Sequence, residues 1–137
     1  MNEYFFEELK VGQKERFTAE ITEDMMDKFR DISGDVNPLH TDADFAREKG
    51  FPSRVTYGML VAAFYSCLAG VYLPGKNCLL QSVKADFISP VFVGDTLTIE
   101  GGIVQKNDSV RRLLIKATIH NQDGKKVSRA KIEAGVI

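Results

Sequence analysis

The sequence predicts an α+β fold in which a curved antiparallel β-sheet wraps around a long, buried central α-helix. Two observations support this prediction. No charged residue occurs between Arg54 and Lys76, a run of 21 positions, which is typical of a helix buried on all sides. After this run, apolar and polar residues alternate in four successive segments, as they do in strands with one buried face. A sheet that covers the apolar helix satisfies both patterns.

The N-terminal part of the chain is predicted to contain one strand and two helices. Residues 11–21 are expected to form the strand. Thr22 precedes acidic residues and a helical spacing of apolar ones, so we expect a helix that begins there with Thr22 as its cap. Gly34 is expected to end this helix, and a short second helix should run from residue 42 to about residue 49.

The central helix is predicted to run from Gly58 to about Val71, because Pro74 and Gly75 stop it. The four strands that follow are expected at residues 79–88, 95–105, 110–120 and 125–136. Turn-forming residues separate these segments. The pair Gly101-Gly102 lies inside the second of them and predicts a bulge or a sharp bend.

Length and composition limit the class of protein. With 137 residues, the chain is expected to form one domain, residues 1–137. Its formal net charge of −1 gives no electrostatic reason to expect nucleic acid as a partner. The apolar run is long enough to span a bilayer, but Gly70, Pro74 and several hydroxyl side chains interrupt it. We therefore expect no membrane association.

Cysteine use and the N-terminal residues predict the compartment. Cys67 and Cys78 suggest no disulfide framework, and the first eight residues are acidic where a signal peptide needs a basic region. A reducing cytoplasm is the expected location.

Residues 33–40, Ser-Gly-Asp-Val-Asn-Pro-Leu-His, carry the strongest functional signal in the chain. Asp35 and His40 lie five residues apart. Pro38 lacks a backbone N–H and disfavours the helical region for Asn37, which predicts a shaped loop rather than one helix face. A carboxylate and an imidazole on a stiff loop can move a proton on and off water. The alternative is that Asp35 and Asn37 are only turn residues.

These motifs resemble the MaoC-like dehydratases of the hot-dog fold, and more narrowly the R-specific enoyl-CoA hydratases. The resemblance covers nearly the whole chain. Its parts are residues 33–40 with Phe45-Ala46, then Gly58-Met59-Leu60 with Ser66, then Pro74-Gly75-Lys76, and finally residues 90–95.

The resemblance implies an activity and a set of site residues. The expected reaction is the reversible hydration of trans-2-enoyl-CoA to (R)-3-hydroxyacyl-CoA, as in enzymes that feed polyhydroxyalkanoate synthesis. Asp35 and His40 would be the catalytic pair, with Asp35 favoured as the base, although the sequence does not separate their roles. The resemblance gives supporting positions to Asn37, which would shape or polarise the site, and to Ser66, which would lie near it.

A second group of expectations concerns the start of the central helix. The first N–H groups of a helix have no internal partner and carry partial positive charge. The resemblance places the Gly58 amide against the thioester oxygen, where one such donor contributes about 3–4 kcal/mol. The family often has histidine where this chain has Tyr57, so Tyr57 is expected only as a wall or gate of the pocket.

The resemblance also leaves alternatives open. The carrier can be acyl carrier protein instead of coenzyme A, and less favoured readings are a thioesterase and a non-catalytic acyl-CoA-binding module. A homodimer with sheets joined edge to edge is expected. No metal and no cofactor are expected, because His40 and His120 show no ligand spacing. Five basic residues are candidates for the phosphates of coenzyme A, although a solvated surface is the commoner role for each: Lys49, Arg54, Lys84, Arg111 and Arg112.

Overall fold

The computed structural model describes residues 1–137 and places five strands in one antiparallel sheet. The strands are β1 (Lys14–Glu20), β2 (Cys78–Phe87), β3 (Thr96–Asn107), β4 (Arg112–His120) and β5 (Lys126–Val136). Their order across the sheet is β1-β3-β4-β5-β2, so β1 and β2 form the two edges. Every neighbouring pair is antiparallel, as the alternating sequence pattern predicts.

Four α-helices lie between β1 and β2 in the chain. They are α1 (Glu23–Ser33), α2 (Pro38–Thr41), α3 (Ala43–Glu48) and α4 (Gly58–Cys67), and a π-helical turn at Leu68–Tyr72 continues α4. Thr22 caps α1, because its hydroxyl accepts a hydrogen bond of 3.2 Å from the Met25 amide, and Gly34 ends that helix with a φ of 72°. Both are the predicted boundaries. None of the helices combines the length and hydrophobicity that a bilayer crossing requires.

The core lies between α4 and the face of the sheet that it covers. On the helical side Val61, Tyr65 and Leu68 are buried. On the strands, the isoleucines at 103, 115 and 132 are buried and stand next to one another in register. The helix and the sheet therefore share one apolar layer, which confirms the predicted fold class.

Only the sheet-facing side of α4 is covered within a single chain. Met59 is 65% exposed, and Ala63 and Ser66 on the same side of the helix are also exposed. The expectation of a helix buried on all sides is therefore not met by one chain alone. The physical reason is that a single sheet can cover only one side of a helix.

Gly101 lets the end of α4 approach the sheet closely. A Cβ atom at this position would lie 2.5 Å from the Cδ2 atom of Leu68, far inside van der Waals contact. The glycine pair itself keeps regular register, with Gly101 opposite Ala117, and the irregularity in β3 lies further on, between Ile103 and Gln105. The predicted bulge at Gly101-Gly102 is therefore misplaced, because the glycine serves helix packing instead.

A buried hydrogen-bonded chain ties α4 to the β2–β5 side of the sheet. The Tyr65 hydroxyl donates to the Ser128 hydroxyl at 2.8 Å, and Ser128 donates to the Asp86 carbonyl oxygen at 2.9 Å. Burial raises the pKa of Tyr65 to about 12. Tyr65 and Ser128 are both fully buried, so this link fixes the helix against the two strands that border the cavity described below.

Candidate active site

His40 lies in the short helix α2, at the third of its four residues. Asn37 begins this helix by accepting a hydrogen bond of 2.9 Å from the Leu39 amide, and Pro38 occupies the first helical position, where no N–H is needed. The local sequence thus forms one helical turn, rather than the loop predicted, and His40 projects from it.

The imidazole of His40 is held in one orientation by the backbone of Val55. Nδ1 lies 2.7 Å from the Val55 carbonyl oxygen. A carbonyl oxygen can only accept a hydrogen bond, so Nδ1 carries the proton and Nε2 of the neutral ring is left with a free lone pair. The Val55 amide in turn donates to the Leu39 carbonyl at 3.0 Å. This pair of bonds locks α2 to residue 55 and leaves Nε2 as the nitrogen available for chemistry.

His40 lines a cavity of about 350 Å³. Most of its wall is apolar, and the remaining wall residues are His40, Thr56, Gly58, Ser89 and Pro90. The apolar wall residues are Phe51, Val55, Val61, Phe87, Ile88, Val91 and Val127. An imidazole beside a mostly hydrophobic cavity is the arrangement expected for a small-molecule site.

Gly58 brings the start of α4 to the same cavity. Tyr57, the residue before the helix, provides no side-chain cap, and the Gly58 N–H has no acceptor within the chain. This amide therefore remains a free donor at the positive end of the helix dipole. A Cβ atom at position 58 would lie 3.4 Å from the ring of Phe87, so glycine keeps the approach to the amide open.

Asp35 lies on the exposed segment between α1 and α2. Its Oδ1 atom accepts a hydrogen bond of 3.0 Å from the Asn37 amide, which forms a tight turn and leaves Oδ2 without a partner in the chain. The side chain does not line the cavity of the single chain. The structure therefore brings His40 and Gly58 together at the cavity and keeps Asp35 outside its wall.

Tyr57 connects the Asp35 segment to His40. Its hydroxyl donates a hydrogen bond of 2.7 Å to the Asp35 carbonyl oxygen, and its ring centroid lies 4.2 Å from that of His40. Tyr57 is buried and does not line the cavity of the single chain, so its expected place as a wall or gate stays a prediction. Burial, and secondly the charge of Asp35, raise the pKa of Tyr57, so the phenol stays protonated and remains a donor.

The other two predicted site residues lie outside the cavity wall. Asn37 is exposed and shapes the segment through its cap of α2. Ser66 lies two turns after Gly58 on the exposed side of α4. The shaping role of Asn37 agrees with its contacts, while the predicted proximity of Ser66 to the site finds no support in the single chain.

Residues 90–95 form part of the cavity wall through Pro90 and Val91 and pack against the segment before α4. The Thr56 amide donates to the Val91 carbonyl at 2.7 Å, and Val55 pairs with Phe92 in an isolated β-bridge. Asp95 holds this turn, because its Oδ2 atom accepts from the Phe92 amide at 3.0 Å. By contrast, Pro74-Gly75-Lys76 lies against the N-terminus, where Gly75 pairs with Glu3. Three of the four motif parts therefore converge on the site and one has a structural role.

Sequence reasoning missed the residues that make the cavity apolar. Phe51 follows α3, and Phe87 and Val127 come from the neighbouring strands β2 and β5. The sequence signal for these residues is the alternation of apolar and polar side chains in the predicted strands. It assigns each residue to one face of the sheet but does not show where on that face a cavity forms.

Comparisons with known proteins agree with this geometry. The family model described as "MaoC like domain" matches residues 6–125. The (R)-specific enoyl-CoA hydratase of Aeromonas caviae is 34% identical over 116 residues, which are 85% of this chain and 87% of that protein. A mitochondrial 3-hydroxyacyl-[acyl-carrier-protein] dehydratase of Arabidopsis thaliana is 36% identical over 97 residues, 71% of this chain but only 55% of that protein.

Solved structures share the fold. The (R)-hydratase from A. caviae, described as involved in PHA biosynthesis, superimposes with a TM-score of 0.90 at 31% identity. The match covers 94% of this chain and 98% of that one. A likeness of this extent shows that the two chains share the hot-dog fold.

Proposed function

This chain belongs to the MaoC-like domain family, and on that premise we propose that it is an (R)-specific enoyl-CoA hydratase. It is a hydro-lyase that adds water reversibly to a trans-2-enoyl thioester to give the (R)-3-hydroxyacyl thioester. One observation supports this most directly: His40, whose Nε2 has no partner in the chain, and Gly58, whose amide has no acceptor, both line one apolar cavity. A proton acceptor and a hydrogen-bond donor beside a hydrophobic space suit an α,β-unsaturated acyl group.

Water is activated by His40 together with Asp35. As the water oxygen bonds to the β-carbon, its proton passes to Nε2 of His40, and the electrons of the double bond move toward the thioester oxygen. The proton on Nε2 then passes to the α-carbon, which restores the thioester and returns His40 to its neutral form. The Val55 carbonyl stabilises the imidazolium formed in between, because Nδ1 keeps its hydrogen bond of 2.7 Å. Such positioned acid–base groups contribute about 10²- to 10⁴-fold.

Asp35 takes part from the exposed segment between α1 and α2. Its Oδ2 atom has no partner in the chain and can accept a hydrogen bond from the water. Tyr57 keeps this arrangement together, since it contacts both the Asp35 backbone and the His40 ring. We therefore assign proton acceptance to His40 and water positioning to Asp35, which exchanges the roles favoured from the sequence.

The Gly58 amide stabilises the negative charge that develops on the thioester oxygen. It is already oriented by α4 and has no competing acceptor in the chain. A donor fixed in advance avoids reorganisation during the reaction and contributes about 3–4 kcal/mol. No cofactor enters this scheme, and the carrier group is part of the substrate.

We also propose that two chains associate through β2. This edge strand exposes large apolar side chains, and so does the neighbouring side of α4. They are Leu79, Leu80, Val83 and Phe87 on the strand and Met59 on the helix. An open apolar strand edge invites pairing with another strand, so a homodimer with adjacent β2 strands would cover the edge and the exposed side of α4, including Ser66.

The two cysteines support a cytoplasmic location. Cys67 and Cys78 are free thiols, in keeping with a reducing cytoplasm. The described role of the A. caviae hydratase supports a supply of (R)-3-hydroxyacyl groups to polyhydroxyalkanoate synthesis.

The function is tested by following the absorbance of the enoyl thioester with substrates of different acyl length, together with chiral analysis of the product. We expect loss of the enoyl band, an (R)-3-hydroxyacyl product and no release of free thiol. Rates with coenzyme A and acyl carrier protein thioesters identify the carrier. Release of thiol would indicate a thioesterase, binding without absorbance change would indicate a binding module, and an (S) product would contradict the proposed stereochemistry.

A further inference from the structure

The outer face of the sheet, away from α4, carries a row of four lysines. Lys84 on β2 stands opposite Lys131 on β5, and Lys131 stands opposite Lys116 on β4. The row continues through Gly102 on β3 to Lys14 on β1. All four lysines are exposed, and the Lys14 stem lies over Gly102, where a Cβ atom would meet its Cγ atom at 3.0 Å. One register position thus crosses all five strands with four cations and no carboxylate.

Such a row costs stability by itself. Like charges that stand directly opposite each other on neighbouring strands repel, because their Cβ atoms are only about 4.5–5.5 Å apart. None of the four lysines forms a salt bridge. Glu133, the carboxylate two residues beyond Lys131 on β5, forms none either.

The adjacent row on the same face is different, which shows that the lysine row is not the general pattern of this surface. It contains two cations and two carboxylates in register: Arg16, Glu100, Thr118, Arg129 and Asp86. Arg129 and Asp86 form an ion pair at 3.0 Å. Charges are therefore balanced in one row and left unbalanced in the next.

A groove of about 480 Å³ follows the unbalanced lysines. Its charged wall residues are Lys84, Lys116, Lys126, Arg129, Lys131 and Asp86. The single carboxylate is already bound by Arg129, so the other four cations have no anionic partner in the chain. We propose that this groove binds a compact anion with several phosphate groups. Its volume is in the range of small-molecule sites, about 300–1,000 Å³, and ammonium groups are common phosphate ligands.

The groove is separate from the catalytic cavity. Phe87 and Val127 line the cavity, whereas their chain neighbours Asp86 and Lys126 line the groove. Successive residues of a strand point to opposite faces, so the two spaces lie back to back across β2 and β5. The proposed β2 pairing would leave this outer face open. The phosphates have two possible sources, a free polyphosphate or the nucleotide end of a coenzyme A thioester.

The direct test measures binding of tripolyphosphate by calorimetry at low salt. The triple variant Lys84→Gln, Lys116→Gln, Lys131→Gln removes the row, and Lys10→Gln, Lys28→Gln, Lys76→Gln is the control with the same change in net charge. We expect about tenfold or greater weakening in the row variant and little change in the control. Equal affinity in the two triple variants would overturn the proposal.

Thermal unfolding gives a second readout that does not depend on any activity. Without ligand, the row variant should have a higher Tm than the wild type, because cross-strand repulsion is removed. Tripolyphosphate should raise the Tm of the wild type and of the control but not that of the row variant. A ligand-induced rise that persists in the row variant would show that the groove is not the site.

Kinetics and a nucleotide fragment distinguish the two sources. Adenosine 3′,5′-bisphosphate binding and the KM for an enoyl-CoA are compared between the two triple variants. A loss of both in the row variant assigns the groove to the nucleotide end of the substrate. Loss of tripolyphosphate binding with an unchanged KM assigns it to a free polyphosphate. If the chain shows no hydratase activity, the proposed function fails. The binding and Tm measurements still show whether the groove binds phosphate groups.

Discussion

The hydroxyl group of Tyr57 lies 2.7 Å from the backbone carbonyl oxygen of Asp35 and donates a hydrogen bond to it. The same side chain places its ring 4.2 Å from the His40 ring. Tyr57→Phe keeps the ring contact and removes only the hydroxyl. We expect turnover to fall about tenfold with little change in KM, because the Asp35 segment loses its fixed position relative to His40. Steady-state kinetics check this, with Tyr72→Phe as the control; equal turnover in both variants would exclude the positioning role.

His40→Gln and Asp35→Asn test the proposed acid–base pair. Each should lower turnover by about a hundredfold or more while the circular dichroism spectrum stays that of the wild type. Asp31→Asn is a matched control, because Asp31 is an exposed aspartate on α1 that pairs only with Arg30. The two variants also separate the roles. Loss in His40→Gln alone would restrict the chemistry to the imidazole, and wild-type turnover in both would remove the basis for the assignment.

Gly58→Ala tests the amide at the start of α4. The added methyl group would lie 3.4 Å from the Phe87 ring, an ordinary contact, so the fold should be retained. Alanine also favours a helix more than glycine does. We expect unchanged or slightly higher Tm, together with about a tenfold or greater loss of turnover because the methyl group narrows the approach to the amide. Turnover that is unaffected would mean that the thioester oxygen binds elsewhere.

Val83→Lys tests association through β2. Val83 is 39% exposed on the edge strand, so a lysine there is tolerated in the single chain but places two like charges close together in the proposed dimer. Light scattering should show a dimer for the wild type and a monomer for the variant. Val110→Lys, at an exposed valine between β3 and β4, should remain a dimer. A monomeric wild type would contradict the proposed assembly.

Tyr65 predicts a loss of stability in alkali. Its pKa is about 12 in the folded protein, above the value of 10.0 for a free tyrosine, because burial disfavours the phenolate. A raised pKa means that the contribution is complete below pH 10 and is lost as pH rises from 10 to 12, by on the order of 2 kcal/mol. Denaturant unfolding across this range should show a steeper decline for the wild type than for Tyr65→Phe. Parallel declines would show that Tyr65 does not cause the loss.

The sequence predicted most of the fold because local rules decided it. The Thr22 cap, the Gly34 end of α1 and the period-two strands depend on neighbouring residues, and all appear where expected. The Gly101 prediction failed because the reason for that glycine is Leu68, which is 33 positions earlier in the chain. A long-range contact of this kind leaves no periodic signal in the sequence.

The site was predicted less completely than the fold. His40 and Gly58 line one cavity, but the sequence did not show that Val55 would fix the tautomer of His40 or that the Tyr57 ring would pack against the His40 ring. Both contacts join residues 15 to 17 positions apart through backbone atoms or ring stacking. The spacing of the motif predicts which groups react. Their orientation depends on residues such as Val55 and Tyr57, which do not take part in the reaction.

The fit between Gly101 and Leu68 has a consequence for substrate choice. Leu68 rests directly on the bare backbone of the sheet, and Gly58 lies ten residues earlier in the same helix, about 15 Å away. A side chain at position 101 would push Leu68 and the C-terminal end of this helix away from the sheet. The N-terminal end at Gly58, which lines the cavity, would tilt as a result. We therefore expect a larger residue at position 101 to alter the cavity beside Gly58, and with it the range of acyl lengths that are turned over.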